Sequence, residues 1–150
     1  KAGIQFLNDR MVDAQEKKIP LTICFIDVNN LKTVNDKWGH NEGDKLINTV
    51  CEIVRSNLRG NDNLCRLGGD EFLVTFANCD KKKAAKIWER IAKSFVAFNY
   101  ESGLRYDITV SYGFAEFDGT ESISVNELIE VADQEMYEYK TNFKKGFVHR

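Results

Sequence analysis

Asp70 and Glu71 directly follow two glycines in the stretch CRLGGDEFLV, residues 65–74, and Asp27 closes the apolar run LTICFI that precedes it. Glycines suit a hairpin turn because they reach positive φ without a Cβ clash. The adjacent acids have no part in making a turn. Clustered carboxylates repel one another and resist leaving water, so such a group is either splayed into solvent or neutralised by a cation. Hard divalent ions such as Mg²⁺ take oxygen ligands, usually one or two protein carboxylates with water and substrate phosphates completing the shell. Two such ions can orient and activate the oxygens of a phosphoryl transfer. On residue type and spacing alone, solvated acids on a polar hairpin and a metal site for phosphoryl transfer both stand.

The elements that would position these acids follow from periodicity. Ile4, Leu7, Met11 and Ala14 recur at helical spacing, and the helix they predict closes before Pro20. Residues 21–27 are apolar on both faces, as in a central strand ending at a functional rim. A short helical turn follows through Lys37, then a longer helix from Asn41 with Leu46, Val50, Ile53, Val54 and Leu58 on one stripe, ended by Gly60. Residues 63–67 and 71–76 make two strands around Gly68 and Gly69. Asp80 caps a further helix that turns Ala84, Ile87, Trp88, Ile91 and Phe95 inward, and residues 106–117 make a fourth strand. Ser124 and Glu127 form a capping box for a last helix reaching about Lys140.

Strand, helix, strand, strand, helix, strand is the ferredoxin-like βαββαβ order, an α+β fold with a mostly antiparallel sheet flanked by helices. Right-handed crossovers place the first strand beside the third, with the second parallel to the first. Asp27 and the Asp70-Glu71 pair then arrive at one edge of the sheet from positions more than forty apart.

Composition sets the outer limits. The 150 residues, 43% hydrophobic and 29% charged, describe one globular domain with a real core, and no repeat or linker divides it. A formal net charge of −2 argues against sequence-independent binding to a nucleic-acid backbone. Cys24, Cys51, Cys65 and Cys79 form no C-x-x-C pair and read as buried thiols in a reducing compartment. No apolar stretch approaches the roughly 20 residues of a membrane span.

The stretch RLGGDEF is the signature of the GGDEF-domain diguanylate cyclases, and the chain resembles that family along nearly its whole length. FIDVNNLKTVNDKWGHNEGDKLI (25–47) is similar to its nucleotide-binding segment, RGND (59–62) to its product-binding motif, VSYGFAEF to its fourth strand and VADQEMYEYK to its closing helix. The resemblance implies a palm like that of class III nucleotide cyclases and condensation of two GTP into cyclic di-GMP. It assigns Asp27, the Val28 carbonyl, Asp70 and Glu71 to Mg²⁺ or Mn²⁺, two ions per half-site, with Asp70 also the candidate for activating the 3′-hydroxyl. Lys32 corresponds to a lysine near the phosphates, and Lys140 and Lys144 to cations on the β- and γ-phosphates. Asn35 and Asp44 correspond to guanine readers, with Leu31, His40 and Gly69 lining the same pocket. Arg59 and Asp62, with Arg90 from a neighbouring domain, correspond to an inhibitory site for the product. Taken without the resemblance, Asp44 suits the first turn of a helix, and Arg59 with Gly60 suits a helix end.

Asn29 replaces the second acid of the family's D-x-D pattern, Leu31 a phenylalanine, and Phe143-Lys144-Lys145 the usual GRN. Losing that arginine removes a bidentate phosphate grip and leaves only charge. The family's DxLTGLxNR opening is missing, so residues 1–150 are expected to be the catalytic domain of a longer, N-terminally truncated signalling protein. The expected setting is cytoplasmic, compatible with a membrane anchor elsewhere in the full-length protein. The expected partners are GTP, cyclic di-GMP and a transient second copy, with no nucleic acid or membrane contact by this domain. Two alternatives remain: a degenerate GGDEF module that binds GTP or cyclic di-GMP as a sensor, and a nucleic-acid-binding or polymerase palm. The second lacks aromatics arranged for base stacking.

Overall fold

The computed structural model describes the backbone of residues 2–148 and the side chains of residues 3–142. The elements run α1 (Ala2–Lys17), β1 (Leu21–Val28), α2 (Leu31–Trp38), α3 (His40–Ser56), β2 (Asn63–Arg66), β3 (Glu71–Phe76), α4 (Lys81–Ser102), β4 (Val110–Phe117) and α5 (Val125–Val148). The four strands form one sheet in the order β2-β3-β1-β4, every neighbouring pair antiparallel. β1 is therefore flanked by β3 and β4, the ferredoxin-like order expected from the sequence.

The alternation of β1 divides the core in two. Cys24, Ile26 and Val28 face the layer of α2, α3 and α4, where Leu46, Val50, Phe72, Trp88 and Ile91 are buried. Leu21, Ile23 and Phe25 face α1 and α5 and pack with Leu7, Met11, Ala115, Leu128 and Ala132. Asp27 continues that second row, so its side chain points toward α5. Gly113 in β4 lets α5 press against the sheet, since a Cβ there would collide with the Met136 nitrogen and the Ala132 carbonyl.

Several boundaries differ from expectation, each for a local reason. The expected turn after β1 is a helix of eight residues. α3 ends at Ser56, and Asn57 rather than Gly60 caps it, with its N–H on the Arg55 and Val54 carbonyls. Gly60 lies beyond, in the turn that Arg59 and Asp62 close. β4 begins at Val110 and not Tyr106, because residues 106–109 spend their polar groups on α4, Asn29 and Glu42. Asp80 caps α4 through Lys83 N–H at 2.8 Å, and Ser124 and Glu127 form the expected reciprocal box. α5 runs on past Lys140 to Val148. Cys24 and Cys79 are buried, whereas Cys51 and Cys65 are only half-buried.

Candidate active site

The three acids do meet. Asp27 stands directly across from Glu71 in β3 and from Ser111 in β4, so the three side chains share one face of the sheet. Val28 N–H donates to the Asp70 carbonyl at 2.8 Å, which pins the hairpin turn to the end of β1. Neither Gly68 nor Gly69 uses positive φ, contrary to the expectation. The turn is held instead by Arg66, whose guanidinium donates to the Gly68 carbonyl at 3.1 Å and the Gly69 carbonyl at 2.6 Å. The sequence carried no signal for that role beyond the proximity of Arg66 to the turn.

Among the described residues the acid edge is short of positive charge. Asp27 is 7% exposed. Lys140 of α5 donates to its Oδ2 at 2.8 Å, while its buried Oδ1 has no donor among the described residues. Partial burial, then the nearby Asp27 charge and a hydrogen bond to Asp27, push the Asp70 carboxyl above its ordinary range, with Lys140 pulling the other way. Glu71 is raised by burial and then by Asp27, Asp70 and Asp133. Among the described residues no three His, Cys, Asp or Glu side chains close on a common point as a ready-made cage. An unpartnered carboxylate oxygen amid repelling acids fits a hard divalent ion of the Mg²⁺ type, which takes few protein carboxylates.

Beyond β1 the chain folds into a cradle. Asn29 donates from its amide to Thr109 Oγ1 at 3.1 Å and accepts from Ser111 Oγ at 3.0 Å, so this residue, an acid in the D-x-D pattern, here ties the strand end to β4. Asn30 takes left-handed geometry, φ 64°, and starts α2. Half-buried Asn35 rests over Gly43, where a Cβ would collide with its Oδ1, and that oxygen is buried with no partner. Gly43 thus makes room for Asn35. Glu42, not Asp44, occupies the first turn of α3. Asp44 and His40 are exposed on the first turns of α3, Asp44 next in the chain to Gly43, and Leu31 is half-buried at the start of α2. Lys32 pairs with Asp36 at 2.9 Å on the open face of α2, and its side chain is 90% exposed. Gly69 is exposed in the hairpin turn. The side chain of Lys144 lies outside the described residues.

Sequence reasoning missed Tyr106. Its hydroxyl donates to Glu42 Oε2 at 2.7 Å and its ring lies against Trp38, centroids 5.2 Å apart. Burial and then the Glu42 carboxylate push its pKa up to about 12, so the donor is retained at any physiological pH.

The RGND turn is closed on itself. Arg59 donates from Nε to Asp62 Oδ2 at 3.0 Å, from Nη2 to Oδ1 at 2.8 Å, and from Nη2 to the Ala77 carbonyl at 2.8 Å. The Asp62 side chain is fully buried, with both oxygens engaged. Arg90 reaches the neighbouring Asn57 carbonyl at 2.9 Å, so it lies against the end of its own α3.

An antiparallel α+β sheet flanked by helices, its central strand and adjoining hairpin delivering acids to one rim, has the palm-type fold. The family model for the diguanylate cyclase GGDEF domain matches residues 4–145, and the chain belongs to that family. It is 33% identical over 149 residues to the probable diguanylate cyclase DgcT of Escherichia coli, covering 97% of this chain and 33% of DgcT. The chain thus spans about a third of that relative's length. Among solved structures it superposes on the GGDEF domain of YfiN (TpbB) from Pseudomonas aeruginosa with a TM-score of 0.83 and 30% identity, covering 93% of this chain and 87% of that one. The GGDEF domain of DgcB from Caulobacter crescentus, solved in complex with cyclic di-GMP, gives a TM-score of 0.79 at 28% identity, covering 91% and 81%. Among the described residues no helix is long and apolar enough to cross a membrane.

Proposed function

We propose that this chain is a diguanylate cyclase that condenses two GTP into cyclic di-GMP and two pyrophosphates. The observation that carries the reading is the acid edge: a buried Asp27 with one unpartnered oxygen, set against Asp70 and Glu71, on a GGDEF fold. Asp27, the Val28 carbonyl, Asp70 and Glu71 would hold Mg²⁺ or Mn²⁺, two per half-site, whose charge eases attack at the α-phosphate. Asp70 accepts the proton of the 3′-hydroxyl. Lys32, Lys140 and Lys144 neutralise the triphosphate, which requires Lys140 to exchange Asp27 for phosphate oxygens and Lys32 to leave Asp36.

Asn35 and Asp44 read guanine, with Leu31, His40 and Gly69 lining the pocket. A carboxylate accepts from the adjacent N1 and N2 hydrogens of guanine, whereas adenine faces it with a lone pair at N1. One domain presents one nucleotide, and each 3′-oxygen must attack the other nucleotide in line, so two copies meet face to face about a two-fold axis. The Arg59–Asp62 turn with Arg90 would take the product in feedback once the internal pair opens.

The test is incubation of the chain with GTP and Mg²⁺ or Mn²⁺, followed by chromatography. Cyclic di-GMP and pyrophosphate are expected, with specific activity rising as enzyme concentration rises. GTP left intact across the whole concentration range overturns the reading.

A further inference from the structure

The loop between α4 and β4, residues 103–109, braces the cradle at both ends. At the strand end, Asn29 donates its N–H to the Thr109 carbonyl at 3.0 Å and its amide to Thr109 Oγ1 at 3.1 Å. At the other end, Tyr106 holds Glu42 and leans on Trp38. Between them Ile108 is clamped by Asn99 of α4, whose Oδ1 accepts from Ile108 N–H at 2.8 Å and whose Nδ2 donates to its carbonyl at 2.9 Å. The loop is therefore fixed to α4, and whatever it grips is fixed with it.

What Tyr106 grips is the first turn of α3. Glu42 directly precedes Gly43, over which Asn35 rests, and stands two residues before Asp44. Beside the tether is a cleft of about 300 Å³, lined in part by Trp38, Lys45, Gly103 and Arg105. Gly39, at φ 93°, separates α2 from α3, so the two helices are not one continuous rod; they pack on each other with Asn35 over Gly43, and Tyr106 adds a tether from outside the pair.

We infer that Tyr106, acting through Glu42, is a positioning residue that sets guanine selectivity by fixing Asp44 relative to Asn35. The inference rests on the reading of Asn35 and Asp44 as the guanine-recognising pair. Tyr106→Phe keeps the ring against Trp38 and removes only the hydroxyl. Glu42→Gln keeps an acceptor for that hydroxyl, and Glu42→Ala removes it.

The measurement is affinity for 3′-deoxy-GTP and 3′-deoxy-ATP with Mg²⁺, by competition against N-methylanthraniloyl-GTP. These analogues lack the attacking hydroxyl and are not consumed. Tyr106→Phe and Glu42→Ala are each expected to reduce the guanine preference about fivefold, chiefly by weakening the guanine analogue. Glu42→Gln should keep the wild-type preference, and the double variant should be no worse than either single change. A Tyr106→Phe protein with unchanged preference, or one that loses both nucleotides equally, overturns the inference while leaving the guanine reading in place. Wild-type protein without guanine preference overturns both.

Discussion

Two charged corners of this domain are built on opposite terms. At the end of β1, Asp27, Asp70 and Glu71 have one cation among the described residues, Lys140, between them, and among the same residues one buried carboxylate oxygen has no donor. At the turn after α3, Arg59 and Asp62 satisfy each other bidentately and a backbone carbonyl takes a further donor. Buried polar groups are normally paired, so an unpaired one marks either strain or a missing ligand. The acid edge therefore carries uncompensated charge, which is what the proposed cation would neutralise. The RGND turn is a closed structural clasp, and any ligand there must first compete with Asp62.

The contrast predicts different consequences for removing charge, and the largest falls on activity at the open corner. Asp27→Ala and Asp70→Ala should each lower cyclic di-GMP formation at least about 100-fold, roughly 3 kcal/mol of barrier. Melting temperature should move little, because both residues stand at the rim and neither fills core volume. Chromatographic assay beside a thermal melt separates the two readouts. A variant with near-wild-type turnover, or one that simply unfolds, breaks the comparison at its strongest point.

At the closed corner the effect moves to stability. Arg59→Ala leaves the buried Asp62 carboxylate with only the backbone N–H of residue 59 as a donor, which should cost about 1 to 3 kcal/mol, moderated by that remaining bond and by the partial exposure of Arg59. The urea midpoint should fall with an unchanged slope. Wild-type cyclic di-GMP affinity, measured by calorimetry, should be lost in the same variant. Equal stability with and without Arg59 would show that the clasp carries nothing, and equal product affinity would remove Arg59 from the feedback site.

Much of the open corner was readable in advance because it breaks local rules. An acid closing an apolar strand, and two acids behind a hairpin, conflict with simple folding, and the ferredoxin-like order fixes which strands bring them together. Contacts that depend on how elements dock were not readable. Lys140 reaches Asp27 only because α5 lies flush on Gly113, a fact of tertiary packing. The stretch 106–109 has strand-like residues, yet its polar groups serve Asn29, Glu42 and Asn99, and tertiary demand overrides propensity there. Gly60 looked like a helix stop, but the mutual pairing of Arg59 and Asp62 shapes that turn, and nothing in a linear pattern announces that two neighbours will satisfy each other.

The smallest effect sharpens the contrast most, because its sign is unusual. Asp70 and Glu71 both have their pKa values raised in the folded protein, by burial first and by neighbouring acids second. Between the ordinary carboxylate value of about 4 and the raised values, the native state holds more protons than the unfolded chain. Stability must then fall as pH rises through that window, the reverse of the usual contribution of a salt-bridged acid. An Asp70→Asn substitution removes one of the repelling charges and should stabilise the ligand-free protein at pH 7. The gain should be less than about 1 kcal/mol, because both residues are only partly buried and solvent screens their charges. It should vanish below about pH 3.5, where the wild-type carboxyl is protonated in both states, and should shrink in high salt. Added Mn²⁺ should invert the order, since a cation that binds only the folded wild type stabilises it by mass action, and the amide of the variant offers that cation no carboxylate. Urea midpoints at the two pH values, with and without Mn²⁺, measure all of this. An Asp70→Asn variant that is less stable than wild type at pH 7 without metal would show that the acid edge is internally satisfied after all, like the RGND turn.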